Sequence, residues 1–158
     1  MTSVYRPAPD WQVDTWLNSE QPLSLTALRG RVVLLHAFQM LCPGCVSHGL
    51  PQAQRVHNLF PPELVTVVGL HTVFEHHDAM TETALRAFVH ENRLRFPVGI
   101  DHPISGQAIP ATMAAYAIQG TPSLALIDRN GLLRAQYFGA IEDLRLGAEL
   151  MALAQETK

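Results

Sequence analysis

The chain has 158 residues, 47% of them hydrophobic and 16% charged, with a formal net charge of −3. This length and composition predict one globular domain over residues 1–158 and exclude a disordered chain. Because no basic run or stripe is present, the sequence offers no electrostatic basis for binding nucleic acid or anionic lipid.

The N-terminal end of the chain does not resemble a targeting signal. The stretch MTSVYRPAPDWQVDTW lacks the basic start and apolar core of a signal peptide. No apolar run reaches the roughly 18 residues that span a bilayer. We therefore expect a cytoplasmic protein with no membrane partner.

The first predicted element is an N-terminal extension. Residues 1–22 are rich in Pro and polar side chains, which indicates an extended arm with a short edge strand, anchored by Trp11 and Trp16. The following stretch, Leu23–Arg31, predicts a turn or a single helical turn that ends at Gly30.

A buried strand and a helix follow this turn. Val32–Phe38 reads VVLLHAF, a run without alternation that is typical of a strand covered on both faces. The next segment, to about Leu59, predicts a helix with Cys42 at its N-cap and a proline at its first position. Pro51 lies inside this helix and is expected to kink it.

The remaining elements alternate in type and end in a hairpin. We predict strands at Glu63–His71, Phe96–Ile100, Ser123–Ile127 and Leu132–Phe138, and helices at Thr81–Asn92, at Ile109–Ile118 and from near Glu142, the last with Leu144, Ala148 and Met151 as its apolar face. The final two strands are joined by DRNG, a strong hairpin signal. Strands linked by helices pair in parallel, whereas a hairpin is antiparallel. The predicted fold class is therefore α/β, with a mixed central sheet and helices on both faces.

The only two cysteines, Cys42 and Cys45, form a CPGC motif between the first buried strand and its helix. A helix N-terminus directs backbone N–H groups at the first sulfur, which favours its thiolate. The second sulfur lies one turn further on, where it can resolve a mixed disulfide. This context favours a redox dithiol.

Two other interpretations of the cysteines remain open. A structural zinc site needs four ligands, and the candidates His71, His76 and His77 lie beyond the usual spacing, although imidazole and thiolate suit copper or zinc. A structural disulfide over so small a loop stabilises little.

Several motifs together resemble a known family. They are APDW (Ala8–Trp11), the strand with its lead-in (Leu23–Phe38), CPGC, GTPS (Gly120–Ser123) and LIDRNG (Leu126–Gly131). Their order and spacing resemble the thioredoxin-fold thiol–disulfide oxidoreductases of the TlpA/ResA type, which border on the AhpC/TSA-like redoxins. The resemblance covers most of the chain and implies a thioredoxin fold.

The resemblance also implies roles for individual residues. Cys42 would attack, Cys45 would resolve, and Pro122 would be cis and lie against the cysteines. Thr121 would offer backbone groups to a bound peptide, beside Pro43 and Gly44 between the cysteines. An ordinary strand start at Thr121-Pro122 is the alternative.

Departures from the family pattern concern the surroundings of the cysteines. Leu41 stands where the family usually has Trp. Pro51 comes six residues after Cys45 rather than five, which predicts a one-residue bulge around Gly49. The upstream Pro and Thr of the peroxidase relatives are replaced by Leu35 and Gln39, which argues against a thiol peroxidase.

Two histidines flank the motif. His36 interrupts the buried strand six residues before Cys42, where thioredoxin has a buried acid, so a proton-relay role is proposed; a core histidine satisfied by backbone groups is the alternative. His48 follows Cys45 by three residues and could tune the thiols or contact substrate, the alternative being an exposed helix residue.

The predicted function is thiol–disulfide exchange, in the direction of reduction, with protein or small-molecule thiols and disulfides and an unknown reductant. No cofactor is predicted. The alternatives are a copper- or zinc-binding module on the same fold and, ranked lower, a thiol peroxidase.

Overall fold

The computed structural model describes residues 4–157 and contains one mixed six-stranded sheet. The strands are β1 (Val13–Leu17), β2 (Val32–Phe38), β3 (Val65–His71), β4 (Val98–Asp101), β5 (Ser123–Ile127) and β6 (Leu133–Phe138). The α-helices are α1 (Leu50–Leu59), α2 (Glu82–Glu91), α3 (Ala111–Ala115) and α4 (Asp143–Ala154), and a π-helical turn (Cys45–Gly49) precedes α1. Over residues 4–157, none of the helices has the length and apolar character needed to cross a membrane.

The strand order explains why the sheet is mixed. Across the sheet the order is β1-β4-β3-β2-β5-β6. The pairs β2/β3 and β3/β4 are parallel, whereas β1/β4, β2/β5 and β5/β6 are antiparallel. Both parallel connections step in the same direction, so right-handed crossovers place α1 and α2 on one face. The predicted combination of parallel strands and a terminal hairpin is confirmed.

The side chains of β2 divide the core into two layers. Leu34 and Phe38 pack with buried residues of α1, α2 and α4. Val33 and Leu35 point the other way, into a second layer with Tyr116 just after α3. All seven residues of β2 are buried, as predicted for a central strand, and helices cover both faces of the sheet.

The N-terminal arm forms an edge strand. β1 pairs with β4, and the rings of Trp11 and Trp16 lie 6.0 Å apart against the second core layer. The indole Nε1–H of Trp11 donates to the Tyr116 hydroxyl at 3.1 Å. The arm and its anchors are confirmed from residue 4 onward, and residues 1–3 lie outside the described residues. The turn prediction is also confirmed, since Gly30 has φ +90°.

Prolines account for most of the boundary errors. β3 begins at Val65 rather than Glu63, because the N–H groups of Leu64 and Val65 both bond to the Pro61 carbonyl and close a turn. β4 begins at Val98, directly after Pro97, which has no N–H for the ladder. α3 covers only the middle of the predicted segment Ile109–Ile118, since Pro110 is its N-cap and Ala117 adopts φ +53°.

The predicted apolar face of the last helix is wrong. Leu144 is 90% exposed and Met151 is 39% exposed, and Ala148 is exposed as well. The buried stripe consists instead of Leu146, Leu150, Leu153 and Ala154. Both stripes have helical spacing, and the one with three leucines offers more apolar area to the core.

Candidate active site

Cys42 stands at the N-cap of the helix that follows β2. The helical conformation begins at residue 43, where a proline lacks an N–H at no cost. The Cys45 N–H donates to the Cys42 Sγ at 3.3 Å, and the Val46 N–H donates to the Cys42 carbonyl at 3.1 Å. The predicted N-cap position of Cys42 is confirmed. Its sulfur acts as the capping acceptor, because it accepts the hydrogen bond from the Cys45 N–H.

The helix contains a π-helical turn between the cysteines and Pro51. Cys45–Gly49 is π-helical, and the Leu50 N–H bonds to the Cys45 carbonyl five residues earlier. A π-turn accommodates one extra residue, which confirms the bulge predicted around Gly49. Pro51 directly follows the π-turn, as the second residue of α1 and inside the continuous helix that begins at residue 43. The kink expected at Pro51 stays a prediction.

The two sulfurs have different environments. Cys42 is half-buried, whereas Cys45 is buried, and both are free thiols. Burial raises the pKa of the Cys45 thiol to about 12, and its hydrogen bond with Cys42 acts in the same direction. The outer sulfur is therefore accessible to a partner, and the inner one is held as a thiol.

The loop before β5 lies against the start of the helix. The Thr121-Pro122 peptide is cis, as predicted. A Cβ on Gly44 would stand 3.3 Å from the Pro122 Cδ, so the absence of a side chain lets the two segments approach closely. The Cys42 S–H donates to the Thr121 carbonyl at 3.5 Å. The structure thus brings together four of the predicted site residues.

His36 lies beneath the π-turn. It is fully buried, and a Cβ on Gly49 would stand 2.7 Å from its Cε1. Among residues 4–157, neither ring nitrogen has a hydrogen-bond partner, so no backbone group of this part of the chain satisfies the ring. Burial, with a smaller contribution from His48, lowers the pKa of His36 to about 4. The ring is bonded to neither sulfur, and its proton-relay role stays a prediction.

His48 links the helix to the start of α4. It is half-buried, not an exposed helix residue, and its Nε2 lies 3.2 Å from the Ile141 carbonyl oxygen. Gln52 donates to the same carbonyl at 2.7 Å, and Arg55 pairs with Asp143 at 3.0 Å. This ion pair lowers the pKa of Asp143. Sequence reasoning missed Gln52 and Arg55, although positions 48, 52 and 55 share one helical face.

His71 fixes the loop that leads to the cysteines. It is 2% exposed at the end of β3, and its Nε2 accepts the Met40 N–H at 3.2 Å. Burial lowers the pKa of His71 to about 4, which keeps the ring neutral and able to accept. Among residues 4–157, no group of three or more His, Cys, Asp or Glu side chains could hold a metal. The proposed copper or zinc role of His71 with His76 and His77 therefore has no site in this part of the chain.

Gln39 stood out in the sequence only as a departure from the peroxidase pattern, but it has a structural function. It is 1% exposed, and its Oε1 accepts the Phe74 N–H at 3.1 Å. Its Nε2 lies 3.5 Å from the Glu75 carboxylate. Gln39 thus ties the loop after β3 to the cysteine loop. The only signal for this in the sequence was a polar amide directly after the apolar strand Val32–Phe38.

A cleft of about 560 Å³ opens beside Cys42. Its walls come from Leu41 and Pro43, from the loop at residues 74–76, and from Phe138 at the end of β6. His76 is thus at the edge of the site. A larger cleft, about 750 Å³, lies between β1 and α2 and is lined by none of the predicted site residues.

Comparison with known proteins places the chain among redox proteins. The profile of the AhpC/TSA family matches residues 4–136. The crystal structure of the thioredoxin-like superfamily protein SPOA0173 is 56% identical, with a TM-score of 0.94 over 96% of this chain and 97% of that one. A thiol–disulfide isomerase from Corynebacterium glutamicum is 49% identical, with a TM-score of 0.92 and the same coverage. These likenesses confirm the thioredoxin-like fold.

Curated relatives are more distant and much longer. The DipZ proteins of Mycobacterium bovis and Mycobacterium tuberculosis are 27% identical over 135 residues, which is 84% of this chain and 18% of theirs. The chain therefore spans less than a fifth of the length of the curated relatives it matches.

Proposed function

The chain belongs to the AhpC/TSA family, and we propose that it is a thiol–disulfide oxidoreductase whose Cys42–Cys45 dithiol exchanges with disulfides of proteins or small molecules. The observation that carries this proposal is the asymmetry of the pair. One sulfur caps a helix and borders an open cleft, and the other is buried one turn below it.

The proposed reaction has two exchange steps. The Cys42 thiolate attacks a partner disulfide, forms a mixed disulfide, and releases the partner's other sulfur, which takes up a proton. The Cys45 thiolate then attacks the Cys42 sulfur, and the second partner sulfur leaves as a thiol. The partner gains two electrons and two protons, and the CPGC pair becomes a disulfide. A dithiol reductant must restore it.

The second step needs a base, because burial raises the pKa of Cys45 to about 12. The departing partner sulfur can accept this proton directly. We also propose His36 as a relay, since its ring is buried under the same turn as Cys45 and is neutral. Burial lowers the pKa of His36 to about 4, which makes it a weak base, so the proton would only pass over the ring on its way to the departing partner sulfur. Catalysis by such a group requires a path to the sulfur.

The remaining predicted residues are proposed to position the partner. The backbone of Thr121 already accepts the Cys42 S–H and would flank a bound peptide. Pro43 lies beside the cleft, and Gly44 leaves room for Pro122. His48 would act indirectly, by holding the helix against the Ile141 carbonyl.

The decisive experiment is exchange with a neutral dialkyl disulfide by wild type, Cys42→Ser and Cys45→Ser. We expect wild type to turn over, Cys42→Ser to be inert, and Cys45→Ser to form a stable mixed disulfide. A wild-type protein without any measurable exchange would contradict the proposal. The reduction potential of the pair, measured alongside, tests the proposed direction.

The same samples test the alternatives. A thiol peroxidase would consume peroxide rapidly through a Cys42 sulfenic acid. A metal-binding module would carry stoichiometric copper or zinc after purification. We expect neither result, since Gln39 is engaged with the loop after β3 and residues 4–157 contain no group able to hold a metal.

A further inference from the structure

The cleft beside Cys42 receives whatever the protein binds covalently. In a mixed disulfide the partner's sulfur is bonded to Cys42, so the residues next to the partner's cysteine must lie in this cleft. Leu41 is 56% exposed and Phe138 is 64% exposed on its walls, although large apolar side chains are usually buried. The cleft therefore presents apolar surface to the neighbours of the partner's cysteine.

Backbone contacts hold two of these walls before any partner arrives. The Phe138 ring covers Gly120, where a Cβ would stand 2.8 Å from the ring. The backbone of Phe138 pairs with Ser123 in the β5/β6 ladder. On the opposite side, Phe74 is held by its N–H bond to the buried side chain of Gln39. A preformed wall loses little conformational entropy on binding.

The charged residues that line the cleft disfavour anionic partners. Glu75 contributes a carboxylate and His76 an imidazole, and neither a lysine nor an arginine is among the described residues that line it. Carboxylate ligands are usually held by guanidinium or ammonium groups. An anionic small disulfide such as oxidised glutathione would face Glu75 without such a partner.

We propose that the cleft selects cysteines of polypeptides that are flanked by apolar side chains, and that it discriminates against acidic neighbours. The inference rests on the proposed exchange activity and names the substrate class of the same site. Leu41, Phe74 and Phe138 supply the apolar contacts, and Glu75 supplies the repulsion. Specificity thus combines an attractive and a repulsive element.

The test uses three capped peptides, Leu-Cys-Leu, Ser-Cys-Ser and Asp-Cys-Asp, each activated as a thiopyridyl disulfide. Release of thiopyridone reports attack by Cys42. Each rate constant is divided by that for methyl thiopyridyl disulfide, which measures the intrinsic reactivity of the thiol in the same sample. For wild type we expect the leucine peptide to react on the order of 10-fold faster than the serine peptide. The aspartate peptide should be slowest.

Two variants assign the preference to the cleft. Phe138→Ser should remove most of the leucine preference, and Glu75→Lys should raise the normalised rate of the aspartate peptide several-fold. Leu144→Ser is the matched control, because Leu144 is 90% exposed at the start of α4 and does not line the cleft. It should retain the wild-type pattern.

The possible results distinguish the proposed selectivity of the cleft from the proposed exchange activity. Equal normalised rates for the three peptides in wild type, or a preference that survives Phe138→Ser unchanged, would overturn the cleft assignment alone. A wild-type protein that fails to react even with the methyl disulfide would overturn the exchange activity, and the selectivity with it.

Discussion

The outer and inner sides of the CPGC motif have opposite physical characters. On the outer side, Cys42 borders an open cleft, with Leu41 and Phe138 more than half exposed. On the inner side, Cys45 and His36 have no exposed surface. Burial acts in opposite directions on the two inner groups, since it raises the pKa of the thiol and lowers that of the imidazole. Both groups are therefore kept neutral, as expected where charge is expensive.

The contrast shows how one short motif can serve two tasks. In the proposed reaction the outer side admits a partner, which its open cleft and exposed apolar side chains allow. The inner side would hold the second thiol until the mixed disulfide has formed, and its burial keeps that thiol protonated. Cys42 on the outer side and Cys45 on the inner side are one helical turn apart, and the π-turn begins at Cys45.

The largest expected effect separates the roles of the two sulfurs. Cys45→Ser should slow release of a peptide from Cys42 by at least about 100-fold, because an intramolecular attack is replaced by a bimolecular one. Mass spectrometry of the trapped adduct, with added dithiol as the rescue, measures this. Rapid release from the variant would show that Cys45 does not resolve the mixed disulfide.

The next effect is the pH dependence of the free energy of unfolding, which the buried histidines cause. Burial lowers the pKa of His36 and of His71 from the ordinary imidazole value of 6.5 to about 4, and unfolding restores the ordinary value. Between these two values the unfolded state binds more protons than the folded state, so acid favours unfolding. Each ring should cost roughly 3 kcal/mol of stability as the pH falls from 6.5 to 4. Urea unfolding at about pH 7 and about pH 4 measures the loss, and a pH-independent midpoint would contradict it.

A glycine pair tests how tightly the inner side is packed. Gly49→Ala should lower the free energy of unfolding by about 1–3 kcal/mol, because its Cβ would meet the His36 ring at 2.7 Å. Gly147→Ala is the matched control, since it lies in α4 with nothing within 4 Å of its Cβ. The control should gain up to about 1 kcal/mol from helix propensity. Similar effects at both positions would mean that His36 can move aside.

A further prediction compares the stability contributions of the two buried imidazoles near neutral pH. His71→Leu leaves the Met40 N–H without its acceptor and should cost about 1–3 kcal/mol. His36→Leu removes two nitrogens that have no partner, and should be nearly neutral or stabilising. Each variant should also remove about half of the acid destabilisation. A large loss of stability in His36→Leu would indicate a partner for this ring.

His36→Leu also tests the proposed relay. If the ring moves the proton of Cys45, the variant should be as stable as wild type but should resolve mixed disulfides more slowly, with an altered pH profile. An unchanged resolution rate would reduce His36 to a packing role.

The sequence predicted the elements that depend on local pattern. The run VVLLHAF specified β2, and the six-residue spacing to Pro51 indicated the bulge that became the π-turn. The wrong apolar face of the last helix arose because two local patterns competed. The last helix carried two apolar stripes of equal period, and only packing against the sheet decided between them.

For the site, the sequence by itself predicted a redox dithiol. A strand, a cysteine cap and a helix follow one another in the chain, so local spacing places Cys42 at a helix start and Cys45 one turn later. The tertiary structure alone decided their surroundings. Leu41, Phe74 and Phe138 meet in one cleft, His71 reaches Met40, and His36 lacks a partner. These facts depend on contacts between residues far apart in sequence, and burial and pKa follow from such contacts rather than from spacing along the chain.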